Sequence, residues 1–278
     1  MTEQYIVRCP VGLARIAILE LKYNKVIERN YRPFILFERN YDFIFLNNKL
    51  KDKPKNNLRI AEDIYECIIF GKYQITKNQI EKVSKKLEKD KKYKLVATAD
   101  GKYFDRRDIK RWFEKQLIQK GIKLSEDGEE IWLFLIDESF YLGKKMFAKK
   151  EIKERDFRIQ EREGSLPQNI AAAMAFLAQA QNGESLLDPV CGSGTILAEL
   201  ASYNPNLKIY GVDIDKEAIK LAKENTKKFK NIEIKEGDST NSSFENKSID
   251  KIVGNLPFGK QFGSKEENPQ LYYDLLKD

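Results

Sequence analysis

Two spacings of apolar residues alternate along this chain, and the changes between them predict its elements. An amphipathic stretch carrying Leu13, Ile16, Ala17, Leu19 and Glu20 precedes two strand-like runs, Phe34 to Glu38 and Tyr41 to Leu46. Leu58 to Phe70 and Lys77 to Lys89 are expected as helices, the second with a heavily charged, solvated face. Tyr93 to Thr98 predicts a strand, followed by a helix whose apolar side holds Ile109, Trp112, Phe113 and Leu117. The other side of that helix bears Arg107, Lys110, Arg111 and Lys115. Ile131 to Ile136 is continuously apolar, as a strand buried on both faces would be, and another strand-like piece, Phe140 to Phe147, follows.

Residues 149–163 are dense in charge and poor in core residues, which predicts a connector. From residue 184 the pattern becomes strand, helix, strand: Ser185 to Asp188, Thr195 to Ser202, Lys208 to Asp213, Lys216 to Lys228, Ile232 to Lys235 and Ile249 to Gly254. That order is the βαβ alternation of a doubly wound parallel sheet, in which ligands collect at the carboxyl ends of the strands.

Composition narrows the chemistry. The 278 residues contain no histidine, which excludes His-dependent zinc sites, Ser-His-Asp triads and imidazole bases. Cys9, Cys67 and Cys191 show no paired spacing, and the N-terminus lacks a basic start with an apolar run, so a reduced, cytoplasmic protein is expected. The longest apolar stretch, Ile170 to Ala180, has roughly half of the ~20 residues needed to span a bilayer, and no membrane partner is expected. Net charge is +7, but it is +11 over residues 1–150 and −4 over 151–278. A polyanion partner for the first half follows, unless its lysines merely solvate surface faces.

After the first strand of the second half comes Asp188-Pro189-Val190-Cys191-Gly192-Ser193-Gly194-Thr195. Its glycines allow a tight turn and close approach to a ligand, and the following helix offers unpaired amides. Asp213 ends the next strand, 21 residues after Gly192, where a carboxylate can take both hydroxyls of a ribose. The pair also fits a nicotinamide dinucleotide. Against that rival, the third position of a G-x-G-x-x-G pattern is Leu197, and Asn255-Leu256-Pro257-Phe258 after the fourth strand serves no hydride transfer. Asp188 and Asp215 also have a structural reading as caps of the helices that follow them.

Two resemblances follow. Asp105-Arg106-Arg107-Asp108 opening a helix, with Tyr141-Leu142-Gly143 on the last strand, resembles the C-terminal half of a THUMP domain over roughly residues 60–150. THUMP domains bind RNA, so the resemblance nominates Arg106, Arg107, Lys110, Arg111, Lys144 and Lys145 as phosphate contacts. Asp188 to Thr195, Gly211-Val212-Asp213-Ile214-Asp215, Gly237-Asp238 and Asn255 to Lys260, in that order, resemble class I S-adenosyl-L-methionine (SAM) dependent methyltransferases acting on exocyclic amines. With the THUMP-like half, they point to the tRNA guanine-N2 group.

That resemblance implies an α/β fold in four parts: a ferredoxin-like subdomain over 1–60, a THUMP-like RNA-binding domain over 61–150, a linker over 151–164 and a Rossmann-like domain over 165–278. It implies that Asp188, Cys191, Gly192, Ser193, Gly194 and Thr195 cradle the methionine end of SAM. Asp213 would hold the ribose, with Ile214 beside it, and Asp238 with Ser239 the adenine. Ser165, Leu166 and Pro167 would close over the cofactor. Asn255 and the Leu256 carbonyl would accept the two hydrogens of the target amine, Pro257 fixing the turn and Phe258 stacking on an extruded base. No metal is implied. Leu256 stands where many amino methyltransferases carry a second proline, which favours guanine N2 over adenine N6. The alternatives are an adenine-N6 enzyme and a noncatalytic RNA-binding protein with an incomplete methyltransferase fold.

Class I sheets have seven strands, and four are placed before the helix-like Asn268 to Leu276. The missing strands are expected from a longer enzyme, or from an activator or other partner chain. Without them Ile249 to Gly254 would form an open apolar edge, and turnover would be slight.

Overall fold

A computed structural model describes residues 4–46, 58–100, 103–147, 164–241, 244–257 and 268–277. It divides into two units, Met1–Lys153 and Glu154–Asp278. Among the described residues no helix is long and apolar enough to cross a membrane.

In the first unit the apolar runs pair into one eight-stranded sheet. Its elements are β1 (Tyr5–Pro10), α1 (Ala14–Tyr23), β2 (Phe34–Phe37), β3 (Tyr41–Leu46), β4 (Asp63–Lys72), α2 (Lys77–Lys86), β5 (Lys92–Asp100), α3 (Arg106–Gln119), β6 (Lys123–Leu124), β7 (Glu129–Ile136) and β8 (Ser139–Lys145). The strand order is β2-β3-β1-β4-β8-β7-β5-β6, so pairing of β1 with β4 joins the strands of residues 1–60 to those that follow.

Segment 58–70, expected as a helix, is instead a loop followed by β4, a central strand between β1 and β8. A β-bulge between Cys67 and Ile69 explains its helix-like spacing. Tyr65 and Cys67 face one side of the sheet, whereas Ile69 joins the helix-side core with Ile80, Val83, Phe113 and Leu117. One extra residue therefore breaks the two-residue alternation by which a strand is read.

On the face away from those helices, Phe43 lies 5.0 Å from Phe134 and Tyr65 lies 5.1 Å from the same ring. Three strands separate β3 from β7, a flat-sheet distance of about 19 Å at ~4.8 Å per strand. The contact requires a strongly curled sheet whose concave side is filled with rings. Buried carboxylates tie down its loops. Asp42 accepts from the amides of Gly12 (2.8 Å) and Ala14 (3.4 Å) at the start of α1, and Glu20 from those of Arg59 (2.8 Å) and Ile60 (3.1 Å).

The second unit holds α4 (Gln168–Leu177), β9 (Ser185–Asp188), α5 (Thr195–Tyr203), β10 (Lys208–Asp213), α6 (Lys216–Thr226), β11 (Ile232–Glu236), a 3-10 turn (Ser239–Asn241), β12 (Lys251–Ile252) and α7 (Asn268–Lys277). All four strands are parallel, in the order β11-β10-β9-β12. The order reverses between β9 and β12, and this crevice is where doubly wound sheets bind ligands. Only Lys251 and Ile252 of the expected run Ile249 to Gly254 pair as a strand.

Candidate functional site

The loop from β9 into α5 is shaped by its neighbours. Gly192 and Gly194 adopt φ of 51° and 77°, the left-handed region that glycine enters without cost. A Cβ on Gly194 would meet Ala222 and Thr226 of α6 at 3.1–3.2 Å, while one on Gly192 would meet nothing within 4 Å. One glycine thus permits close packing and the other faces open space. Leu197 is fully buried against Gly211, where an added Cβ would lie 2.5 Å from its Cδ1. The closely packed glycine here sits on the strand, not at the third loop position of a dinucleotide fold.

Asp213 clamps the crevice from β10. Its carboxylate accepts from the Gly192 amide (2.8 Å) and from the Asp215 amide (2.9 Å). Two backbone bonds leave lone pairs free on a group with about four acceptor positions. Beside it Ile214 is 73% exposed, an unusual position for an isoleucine. Asp215 caps α6, accepting from the amides of Glu217 (2.9 Å) and Ala218 (3.4 Å). Cys191 is buried, which raises its thiol pKa and removes it as a nucleophile.

Asp188 is 1% exposed and accepts from the Val190 amide at 3.2 Å. Burial raises its pKa to about 7, opposed by the Val190 bond and reinforced by the charge on Asp213. Gly254, at the end of the fourth strand, approaches so closely that a Cβ there would lie 2.9 Å from the Asp188 carboxylate. Asn255 follows, exposed, with Leu256 and Pro257 half-buried. Phe258 lies outside the described residues.

Two other segments converge on the loop. The Ser165 hydroxyl is 3.2 Å from that of Ser193, which is 3.3 Å from that of Thr195. Leu166 is half-buried and Pro167 exposed at the start of α4. Ser239 donates to the Pro189 carbonyl at 2.5 Å. Asp238 is exposed, and hydrogen bonds from the Thr240 hydroxyl (2.7 Å) and amide (2.9 Å) hold its carboxyl below the usual range. Two further residues escape the sequence pattern. Asn225, buried on α6, donates to the Ser193 carbonyl at 3.0 Å, and the Tyr272 hydroxyl donates to the Pro257 carbonyl. A polar residue on the apolar face of α6 was the available signal for Asn225; Tyr272 gave none.

Residues 155–278 match the UPF0020 family, described as RMKL-like, methyltransferase domain. The chain is 35% identical over 117 residues to the tRNA (guanine(6)-N2)-methyltransferase of Thermus thermophilus, covering 41% of this chain and 35% of that protein. It is 24% identical over 208 residues to the enzyme of that name from Methanocaldococcus jannaschii, covering 60% and 55%. The chain thus spans about a third to a half of these relatives. In fold it resembles the crystal structure of TrmN from Thermus thermophilus, with a TM-score of 0.78, 21% identity and coverage of 99% and 84% of the two chains.

The six basic residues nominated as RNA contacts lie in the first unit, on two elements. Arg106, Arg107 and Arg111 are exposed on α3 and make no ion pair among the described residues, and Lys110 lies 3.5 Å from Glu114. Lys144 and Lys145 lie on β8. Lys144 is 2.6 Å from Glu129, and Lys145 is 2.8 Å from Asp63 and 3.4 Å from Glu130 with its side chain 10% exposed. Lys145 belongs to an internal network in which Arg8 pairs with Asp63 and sits between the rings of Tyr41 and Trp132.

Proposed function

We propose that this chain transfers a methyl group from SAM to the exocyclic N2 amine of a guanine in tRNA. One observation carries the reading: the turn Asn255-Leu256-Pro257 and the glycine loop flank the same strand-order reversal, in contact through Gly254 and the buried Asp188. The names of the relatives, both tRNA guanine-N2 methyltransferases, support the substrate.

The residues fit the cofactor. Gly192 faces open space, Asp213 keeps lone pairs for two ribose hydroxyls, and Ile214 offers apolar surface to a flat base. Asp188 suits an ammonium group and Asp238 an amino hydrogen. When bound, SAM supplies a methyl group on a sulfonium centre.

The chain's own residues prepare the acceptor. An aryl amine is a weak nucleophile because its lone pair is delocalised into the ring. The Asn255 side-chain oxygen and the Leu256 carbonyl accept its two hydrogens, which pyramidalises the nitrogen and aims the lone pair. Alignment then supplies most of the rate, and the cationic nitrogen of the product gives up one proton to water afterwards, so no histidine base is needed. The first unit captures the RNA, with Arg106, Arg107 and Arg111 as phosphate contacts.

Incubation with radiolabelled SAM and total tRNA, followed by nucleoside analysis, tests this. Label is expected in N2-methylguanosine. Label in N6-methyladenosine would move the target to adenine, and no label despite SAM and tRNA binding would overturn methyl transfer.

A further inference from the structure

The Tyr272–Pro257 hydrogen bond joins the turn after β12 to α7, 15 residues along the chain. On the near side, the Val253 amide donates to the Leu187 carbonyl at 2.9 Å and fastens the chain to β9. Gly254, Asn255 and Leu256 are thus suspended between the sheet and Tyr272. Gly254 is the permissive point of that span, because its backbone has the widest choice of angles. Proline fixes φ at Pro257, so holding its carbonyl restricts the remaining rotations and the direction in which the Leu256 carbonyl points. The helix that carries Tyr272 is itself anchored: Leu275 is buried, and α7 packs against the 3-10 turn that follows Asp238. One helix therefore supports both the Asp238 loop and the Asn255 turn.

We propose that Tyr272 is a positioning residue for methyl transfer, holding Asn255 and the Leu256 carbonyl in the orientation that accepts the target amine. This rests on the acceptor roles given to Asn255 and Leu256 above. A neutral hydrogen bond contributes modestly, so the expected effect is partial, and it should fall on the chemical step.

The test is Tyr272→Phe in the full chain, which keeps the ring and removes the hydroxyl. With tRNA and SAM, kcat is expected to fall roughly three- to tenfold, with KM for SAM and the melting temperature unchanged. In an Asn255→Ala background the same change should cost clearly less, because one of the two acceptors it positions is gone. Equal losses in both backgrounds, or a raised KM with kcat intact, would overturn positioning. A second readout needs no turnover: amide linewidths of Asn255 and Leu256 and the carbonyl carbon shift of Pro257, recorded by NMR. Tyr272→Phe should broaden the two amides and move the carbonyl shift, while β9 signals stay in place. Unchanged signals overturn the proposal whatever the activity. Broadened signals in a chain whose wild type transfers no methyl group support the anchor and overturn the methyl-transfer reading instead.

Discussion

Among the described carboxylates, Asp188 is the one whose chemistry the fold changes most. With its pKa at about 7 in the folded chain against 3.8 ordinarily, the folded state binds a proton that the unfolded state releases. Its contribution to stability is full below the ordinary value and is lost as pH rises through about 7. A cationic ligand beside it reverses that preference, since a positive charge favours the carboxylate. SAM affinity is therefore expected to rise about tenfold per pH unit up to about pH 7 and then level off, as a binding event that releases one proton requires. Asp188→Asn should flatten that profile in calorimetry between about pH 5 and 8; an unchanged slope would detach Asp188 from the cofactor. Asp213→Ala should do two things: lose most SAM affinity and lower the melting temperature of the ligand-free chain, because the Gly192 and Asp215 amides lose their acceptor. Each such bond contributes about 1.5–3 kcal/mol when charge-assisted. Both aspartates could be picked out in the sequence because each ends a strand a few residues before a glycine turn or a helix start. Gly254 and Tyr272 could not, because their importance lies in a neighbour that only the folded chain brings near.

At the level of elements, the second unit was the more legible because each strand and helix there is punctuated. Aspartate ends β9 and β10, Gly237 follows β11, and Asp215 caps α6, so the expected bounds of β9 and β10 agree with the observed ones. The first unit lacks such punctuation around β4. Its bulge converts a two-residue rhythm into one that looks helical, and the Arg8 and Lys145 partners that recruit Asp63 into a sheet lie 55 and 82 positions away in sequence. The start of α1 was equally hidden, since the residue before it, Leu13, makes no side-chain cap and the acceptor comes from Asp42 on β3. Asp42→Ala should therefore destabilise the first unit by roughly 1–2 kcal/mol, the usual cost of removing a cap. Chemical denaturation monitored through Trp112 and Trp132, which both lie in that unit, would measure it. No shift in midpoint would mean that α1 is capped from elsewhere.

Across the whole chain the charge divides into +11 over residues 1–150 and −4 over 151–278, and under the proposed function the first half would capture a polyanion on which the second half acts. Charge alone does not say which cations meet phosphate, but their surroundings rank them. A lysine held by two carboxylates must break those contacts before it can displace a counterion, whereas an exposed arginine on a helix gives up only water. Lys145 is of the first kind, and Arg106, Arg107 and Arg111 are of the second. Binding of the full chain to tRNA should weaken steeply with added salt, because each neutralised phosphate releases condensed counterions. Replacing the three arginines together by alanine should lower the slope of log affinity against log salt by about one for each phosphate no longer neutralised. Lys145→Ala should leave the slope almost unchanged and instead lower thermal stability, because it leaves Asp63 short of a partner in a buried network. Filter binding across a salt series, with melting curves for each variant, separates the two outcomes. Equal changes in slope for Lys145→Ala and the triple variant would mean that the internal network opens onto RNA, and would move the contact surface from α3 to β8.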